Sequence, residues 1–171
     1  MPEANPTPDQ EWNHFTKALA ECLGDLDGRE YLIISSRAVN HYVQFAVDRD
    51  GSIRAEAAAN QYIWELQGLL TVEDYQTMER LGWSRPTNYP PELKDPRNVP
   101  GGSPNFFIDV EAPVDYQKVA TLAVTTLRTV YGIGRPAELN YKAFGQNRVS
   151  VRFPTLGLER VRSRRGPHRA A

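Results

Sequence analysis

The strongest constraint in this chain is a series of three short, strand-like segments with little room between them, at residues 30–37, 41–48 and 52–60. The second and third are separated by Asp48-Arg49-Asp50-Gly51, where Asp-Gly supplies the positive φ that a tight hairpin turn needs. Three such segments in close succession form an antiparallel meander. In the second, His41, Val43, Phe45 and Val47 share one face, opposite Tyr42, Gln44, Ala46 and Asp48. In the third, Ile53, Ala55, Ala57 and Ala59 lie opposite Arg54 and Glu56. One face therefore reads as core and the other as a half-polar surface. The first strand is apolar on both faces through Tyr31, Leu32, Ile33 and Ile34, which predicts a cover for its second face: another part of the chain, a second subunit or a client.

Helical patterns flank the meander. Residues 1–8 hold three prolines and read as a flexible arm. From Pro8 to Leu26, Trp12, Phe15, Leu19, Cys22, Leu23 and Leu26 recur at spacings of three and four, one buried helical stripe. Residues 61–70 form a compact apolar connector, and Thr71-Val72-Glu73-Asp74 then opens a second helix with a capping hydroxyl three residues before a carboxylate. This helix runs to Leu81, with Gly82 as a left-handed cap and Trp83 folding back on the last turn. Six prolines and two glycines make residues 84–104 a loop, ordered or half-ordered. A strand at 105–111 follows. Asp115 caps a third helix whose stripe is Val119, Leu122, Ala123, Thr126, Leu127, Val130 and Tyr131, ended by Gly132. A last strand covers Leu139–Phe144, and residues 148–153 alternate as an edge strand would.

The order α-β-β-β-α-β-α-β predicts an α+β fold, an antiparallel sheet with helices packed on one face. With 171 residues, one domain is expected, at 9–153, followed by a basic tail at 154–171 that lies disordered outside the fold. The formal net charge of −1 conceals this division. From Arg148 onward there are seven arginines and one acid, Glu159, which leaves an acidic body. Neither a membrane-spanning run nor a signal-peptide pattern is present, so a cytoplasmic protein without membrane insertion is expected. A single cysteine, Cys22, excludes an internal disulfide and a Cys-rich zinc cluster.

No residue pattern recommends catalysis, a metal or a cofactor. His14 and His41 lie in different elements, and Cys22 sits on an apolar stripe beside Glu21 and Asp25, an unfavourable setting for a thiolate. Asp48-x-Asp50-Gly51 lacks the last glutamate of a calcium loop, and Gly132-Ile133-Gly134 follows a helix where a phosphate loop follows a strand. Two binding surfaces remain. Tyr42 and Gln44 on the outer sheet face, with Tyr62 and Trp64 beside them, could hold a client strand or amphipathic helix. Alternatively, Arg160, Arg162, Arg164, Arg165 and Arg169 could contact nucleic-acid phosphates, although no aromatics interleave with them.

A family resemblance sharpens the choice. Leu70-Thr71-Val72-Glu73-Asp74, Leu81-Gly82-Trp83, Pro104-Asn105-Phe106-Phe107, Ala112-Pro113-Val114-Asp115, Val130-Tyr131-Gly132 and Pro136-Ala137-Glu138-Leu139-Asn140-Tyr141 resemble the actinobacterial TY-Chap domain. That peptide-binding chaperone family is related to type III secretion chaperones and YbjN-like proteins. Phe106-Phe107 stands where a tryptophan-rich segment is expected, and the basic tail is a second departure. The resemblance implies a non-enzymatic module that holds a peptide or protein client, with no cofactor and no catalytic residues. A homodimer or a heteromeric complex is the assembly expected.

Overall fold

The computed structural model describes residues 5–146 and 151–162. Its first helix, α1 (Pro8–Asp25), begins at a capping box in which Thr7 Oγ1 accepts from the Gln10 amide at 3.3 Å, with Pro8 in the first turn. All six stripe residues from Trp12 to Leu26 are buried. The meander follows as β1 (Tyr31–Ser36), β2 (Tyr42–Val47) and β3 (Ile53–Ala57), each antiparallel to the next. The Asp-Gly turn forms as its composition predicts, with Gly51 at φ +83° and the Asp48 amide donating to Ser52 O at 2.9 Å.

Strand β3 stops three residues short of the predicted end. Ala57, Ala58 and Ala59 are all fully buried, a run that an alternating strand cannot continue. The chain turns at Asn60, whose side-chain amide exchanges two 2.8 Å hydrogen bonds with the backbone of Leu70. Helix α2 (Val72–Leu81) has the expected capping box between Thr71 and Asp74, and Gly82 at φ +113° ends it. The Trp83 amide donates back to Met78 O at 3.1 Å, and its buried indole donates to Thr126 Oγ1 at 2.9 Å.

Strand β4 (Phe106–Val110) pairs with β3, and helix α3 (Tyr116–Thr125) starts at Asp115, whose carboxylate accepts from the Lys118 amide at 3.0 Å. A π-helical turn at Thr126–Val130 continues it. Strand β5 (Leu139–Phe144) then returns to pair antiparallel with β1. A two-residue strand β6 (Glu159–Arg160), absent from the predicted order, runs parallel to β5. The sheet order is β4-β3-β2-β1-β5-β6.

The inner sheet face, with Leu32, Ile34, Val43, Phe45, Ala55, Phe106, Leu139 and Tyr141, shares one apolar core with the stripes of α1 and α3. Trp12 Nε1 donates to Gly134 O at 3.0 Å and the Tyr131 hydroxyl to Ala58 O at 2.8 Å, so both of these aromatic polar groups are paired as the core closes. The chain continues onto the fold beyond the boundary expected at Phe153. Phe153 and Leu156 are buried, and the Val161 amide donates to Tyr141 O at 2.7 Å. Two apolar side chains and a strand pairing hold this stretch in place, which the surrounding arginines obscure in the sequence. Of the edge strand expected at 148–153, residues 148–150 lie outside the described residues; Val151 donates its amide to Ala143 O at 3.1 Å.

Candidate functional site

Alternation along paired strands sets the outer face. Register aligns Lys142, Ile33, Gln44, Glu56 and Phe107 in one row and Phe144, Tyr31, Ala46, Arg54 and Asp109 in the next. On the β3–β4 side, the end of loop 84–104 lies against these rows. The Ser103 hydroxyl and the Gln44 amide both donate to Glu56. The Arg54 guanidinium forks onto Asp109 with two 2.7 Å bonds, donates to Gly101 O at 2.6 Å, and stands 5.0 Å from the Phe107 ring centroid. The Tyr42 hydroxyl donates to Asn105 Oδ1 at 3.0 Å.

The cover expected over β1 is thus only partial. The loop reaches β2, β3 and β4, whereas Tyr31 and Ile33 form an open strip with β5. There Tyr31 stacks on Phe144 at 5.2 Å, beside a shallow recess of about 110 Å³ bordered by Ile33, Gln44 and Ala46.

The four residues expected to meet a client divide in two. Tyr42, Gln44 and Tyr62 gather around Glu56 in a polar corner. Burial pushes the Tyr42 phenol up to about 12, opposed in part by its bond to Asn105, and a neighbouring Tyr62 adds to the shift. Tyr62 is itself raised, first by burial and then by Glu92 and Glu56. Both side chains are therefore neutral donors at physiological pH. Gln44 and Tyr42 are already hydrogen-bonded within the chain, so their polar ends are held in fixed positions.

Trp64 lies on the connector and is 73% exposed. It has company that the sequence pattern concealed: Leu66 is 84% exposed, Val72 75% and Leu69 41%. The connector is not loose, because three buried residues anchor it. Ile63, Gly68 and Leu70 are buried. His41, stacked on Tyr131 at 4.5 Å, donates from Nε2 to Gly68 O at 2.6 Å. A Cβ on Gly68 would come within 3.1 Å of Ile63 Cγ2, so glycine permits this close approach. Four large apolar side chains are consequently presented to solvent from an anchored backbone. An apolar connector could be read from the sequence, but which of its residues face outward follows from the Asn60 and His41 clasps. Glu56, Ser103 and Asn105, which organise the polar corner, escaped sequence reasoning because their partners lie far away in the chain.

The remaining candidates stay separate. His14 is exposed on α1 and His41 is buried. Cys22 is buried with Sγ 3.5 Å from Thr155 Oγ1, and burial raises its thiol, which leaves a packed, protonated side chain. No group of three or more potential metal ligands occurs among the described residues. No described helix is long and apolar enough to cross a membrane. Arg160 sits in β6 and Arg162 is exposed just beyond it, while Arg164, Arg165 and Arg169 lie outside the described residues.

A six-stranded, mostly antiparallel sheet with its helices on one face defines a small α+β domain of the type III secretion chaperone-like class. Residues 5–145 match TY-Chap3, described as T3SS (YopN, CesT) and YbjN peptide-binding chaperone 3, and the chain belongs to that family. No curated protein and no solved structure matches it.

Proposed function

We propose that this protein is a non-enzymatic, chaperone-like module that holds a peptide segment of a protein client against the exposed Trp64–Val72 stretch, which runs from the connector into the start of α2, and the adjoining outer sheet face. The observation that carries the reading is the exposure of Trp64, Leu66, Leu69 and Val72 together on an anchored segment. Scattered apolar residues are normal on a surface, but four large ones exposed within nine positions offer concentrated apolar area to a partner. Beside these residues Tyr62 offers a neutral hydroxyl, and Tyr42 and Gln44, whose donors are held by Asn105 and Glu56, offer acceptor oxygens able to orient a client backbone. Membership of a peptide-binding chaperone family supports the same reading. Action in the cytoplasm, as a homodimer or in a heteromeric complex, is part of the proposal.

The test is recovery of crosslinked clients from native cells by the unaltered chain and by a Trp64→Ser/Leu66→Ser variant. The variant should keep its fold, since surface substitutions of this kind change stability by about 0.5 kcal/mol or less. Client recovery should fall at least about tenfold, the equivalent of about 1.4 kcal/mol of binding. Equal recovery by a folded variant would place the client elsewhere.

A further inference from the structure

The family match ends at residue 145, yet residues 153–161 are bound to the domain as a ligand would be. Two apolar side chains anchor this segment: Phe153 at 7% exposure and Leu156 at 4%. The Phe153 amide donates to the Tyr141 hydroxyl at 2.9 Å, and Thr155 Oγ1 meets Cys22 Sγ on α1. Three residues past Leu156, Glu159 pairs with Arg37 at 2.6 Å. Glu159 and Arg160 run alongside Asn140 and Tyr141, and Val161 closes the pairing through Tyr141 O. The alignment is parallel in a sheet that is otherwise antiparallel, and only two residues long. Short parallel pairing is the weaker arrangement, so the β5 edge is covered by a strand held mainly through its side-chain anchors.

We propose that the β5 edge, with the adjoining surface of α1, is a peptide-accepting groove whose resident occupant is the chain's own 151–161 segment, bound in cis and displaceable. Its ligand chemistry can be read from that occupant: an aromatic residue, a single helical turn at Pro154–Leu156 that brings a branched aliphatic residue in three positions later, a left-handed glycine, and then a short strand carrying an acid for Arg37. This site lies on the β5 edge and does not depend on the Trp64 connector binding anything.

The test uses the full chain and a labelled peptide of residues 151–162, followed by fluorescence anisotropy. In the unaltered chain the groove is filled and the peptide should bind weakly. In a Phe153→Ala/Leu156→Ala/Glu159→Ala chain, which leaves Tyr141, Arg37 and Cys22 intact, the peptide should bind at least tenfold more tightly. Adding Arg37→Glu to that chain should reverse most of the gain, and a scrambled peptide should not bind. A folded triple variant that takes up the peptide no better than the unaltered chain would overturn the proposal. If the triple variant does not fold, amide exchange in the unaltered chain decides: the Val161 amide must open faster than those of β2, and exchange of both only through global unfolding would refute a displaceable segment.

Discussion

Thr126 illustrates how much a single buried hydroxyl carries in this fold. Fully buried, it donates to Leu122 O at 2.9 Å and accepts the Trp83 indole N–H at the same distance, tying the end of α2 to α3. Replacement by valine keeps the shape but leaves that N–H without a partner. Thr126→Val should therefore cost about 1–3 kcal/mol, read from urea unfolding, whereas a cost under about 0.5 kcal/mol would mean that the indole finds another acceptor. Two tyrosines set a second expectation. Tyr42 is pushed up to about 12, and burial holds Tyr131 well above its ordinary value. The native state thus keeps protons that the unfolded chain releases near pH 10, and it binds more protons than the unfolded state above that point. Their contribution to stability is complete below about pH 10 and declines above it, for Tyr42 as pH rises through about 12. Tyrosinate absorbance should show late-titrating phenols whose release coincides with unfolding. A single transition near pH 10 for all tyrosines, with the fold intact, would contradict it.

At the scale of elements, local chemistry was readable and tertiary competition was not. Thr71 and Asp74 write the start of α2, and Gly82 writes its end, because capping and left-handed backbone are decided within a few residues. Thr71→Ala should cost about 1 kcal/mol. Gly82→Ala should cost about 1 kcal/mol through backbone strain alone, because its Cβ would meet nothing within 4 Å. Thermal melts of the two variants check both values. The early end of β3 was hidden because a row of alanines fits a strand equally well until Asn60 finds Leu70. Strand β6 was hidden because two residues carry no periodicity and its partner lies some twenty positions away. The segment 84–104, dense in proline, reads from sequence as a loop, ordered or half-ordered. In the structure the Ser103 amide donates to Thr87 Oγ1 at 3.1 Å and the Val99 amide to Asn88 Oδ1 at 3.0 Å. A Cβ on Gly102 would collide with both the Thr87 and the Asn88 side chains. Gly102→Ala should therefore speed proteolysis within 84–104 while leaving the melting temperature nearly unchanged; a large drop in melting temperature would make the loop part of the core.

Across the whole molecule, the meander and the helices packed on its inner face follow from patterning, as does which face is core. The candidate site was only half legible. Tyr42 and Gln44 follow from strand alternation, and Tyr62 and Trp64 from adjacency. Which connector residues reach solvent depends on His41 and Asn60 pinning the backbone, and no periodicity encodes that. The acidic body and basic end were visible in the charge count, but the fold continues past the point where the arginines begin. Phe153 and Leu156 carry it there, two apolar residues in a segment whose charge dominates its composition.

Sheet order also has a consequence during synthesis. Strand β1 ends at Ser36, but its second neighbour, β5, begins at Leu139. While the ribosome makes everything between, one side of β1 presents unpaired backbone groups next to Ile33 and Tyr31, in the state most prone to pair with another nascent chain. The hairpins from β1 to β3 close early because their contacts are local, whereas the seam with β5 closes last. A polypeptide released before Leu139 would leave that seam open, so truncated products should aggregate through the unpaired side of β1, which the full chain covers with β5.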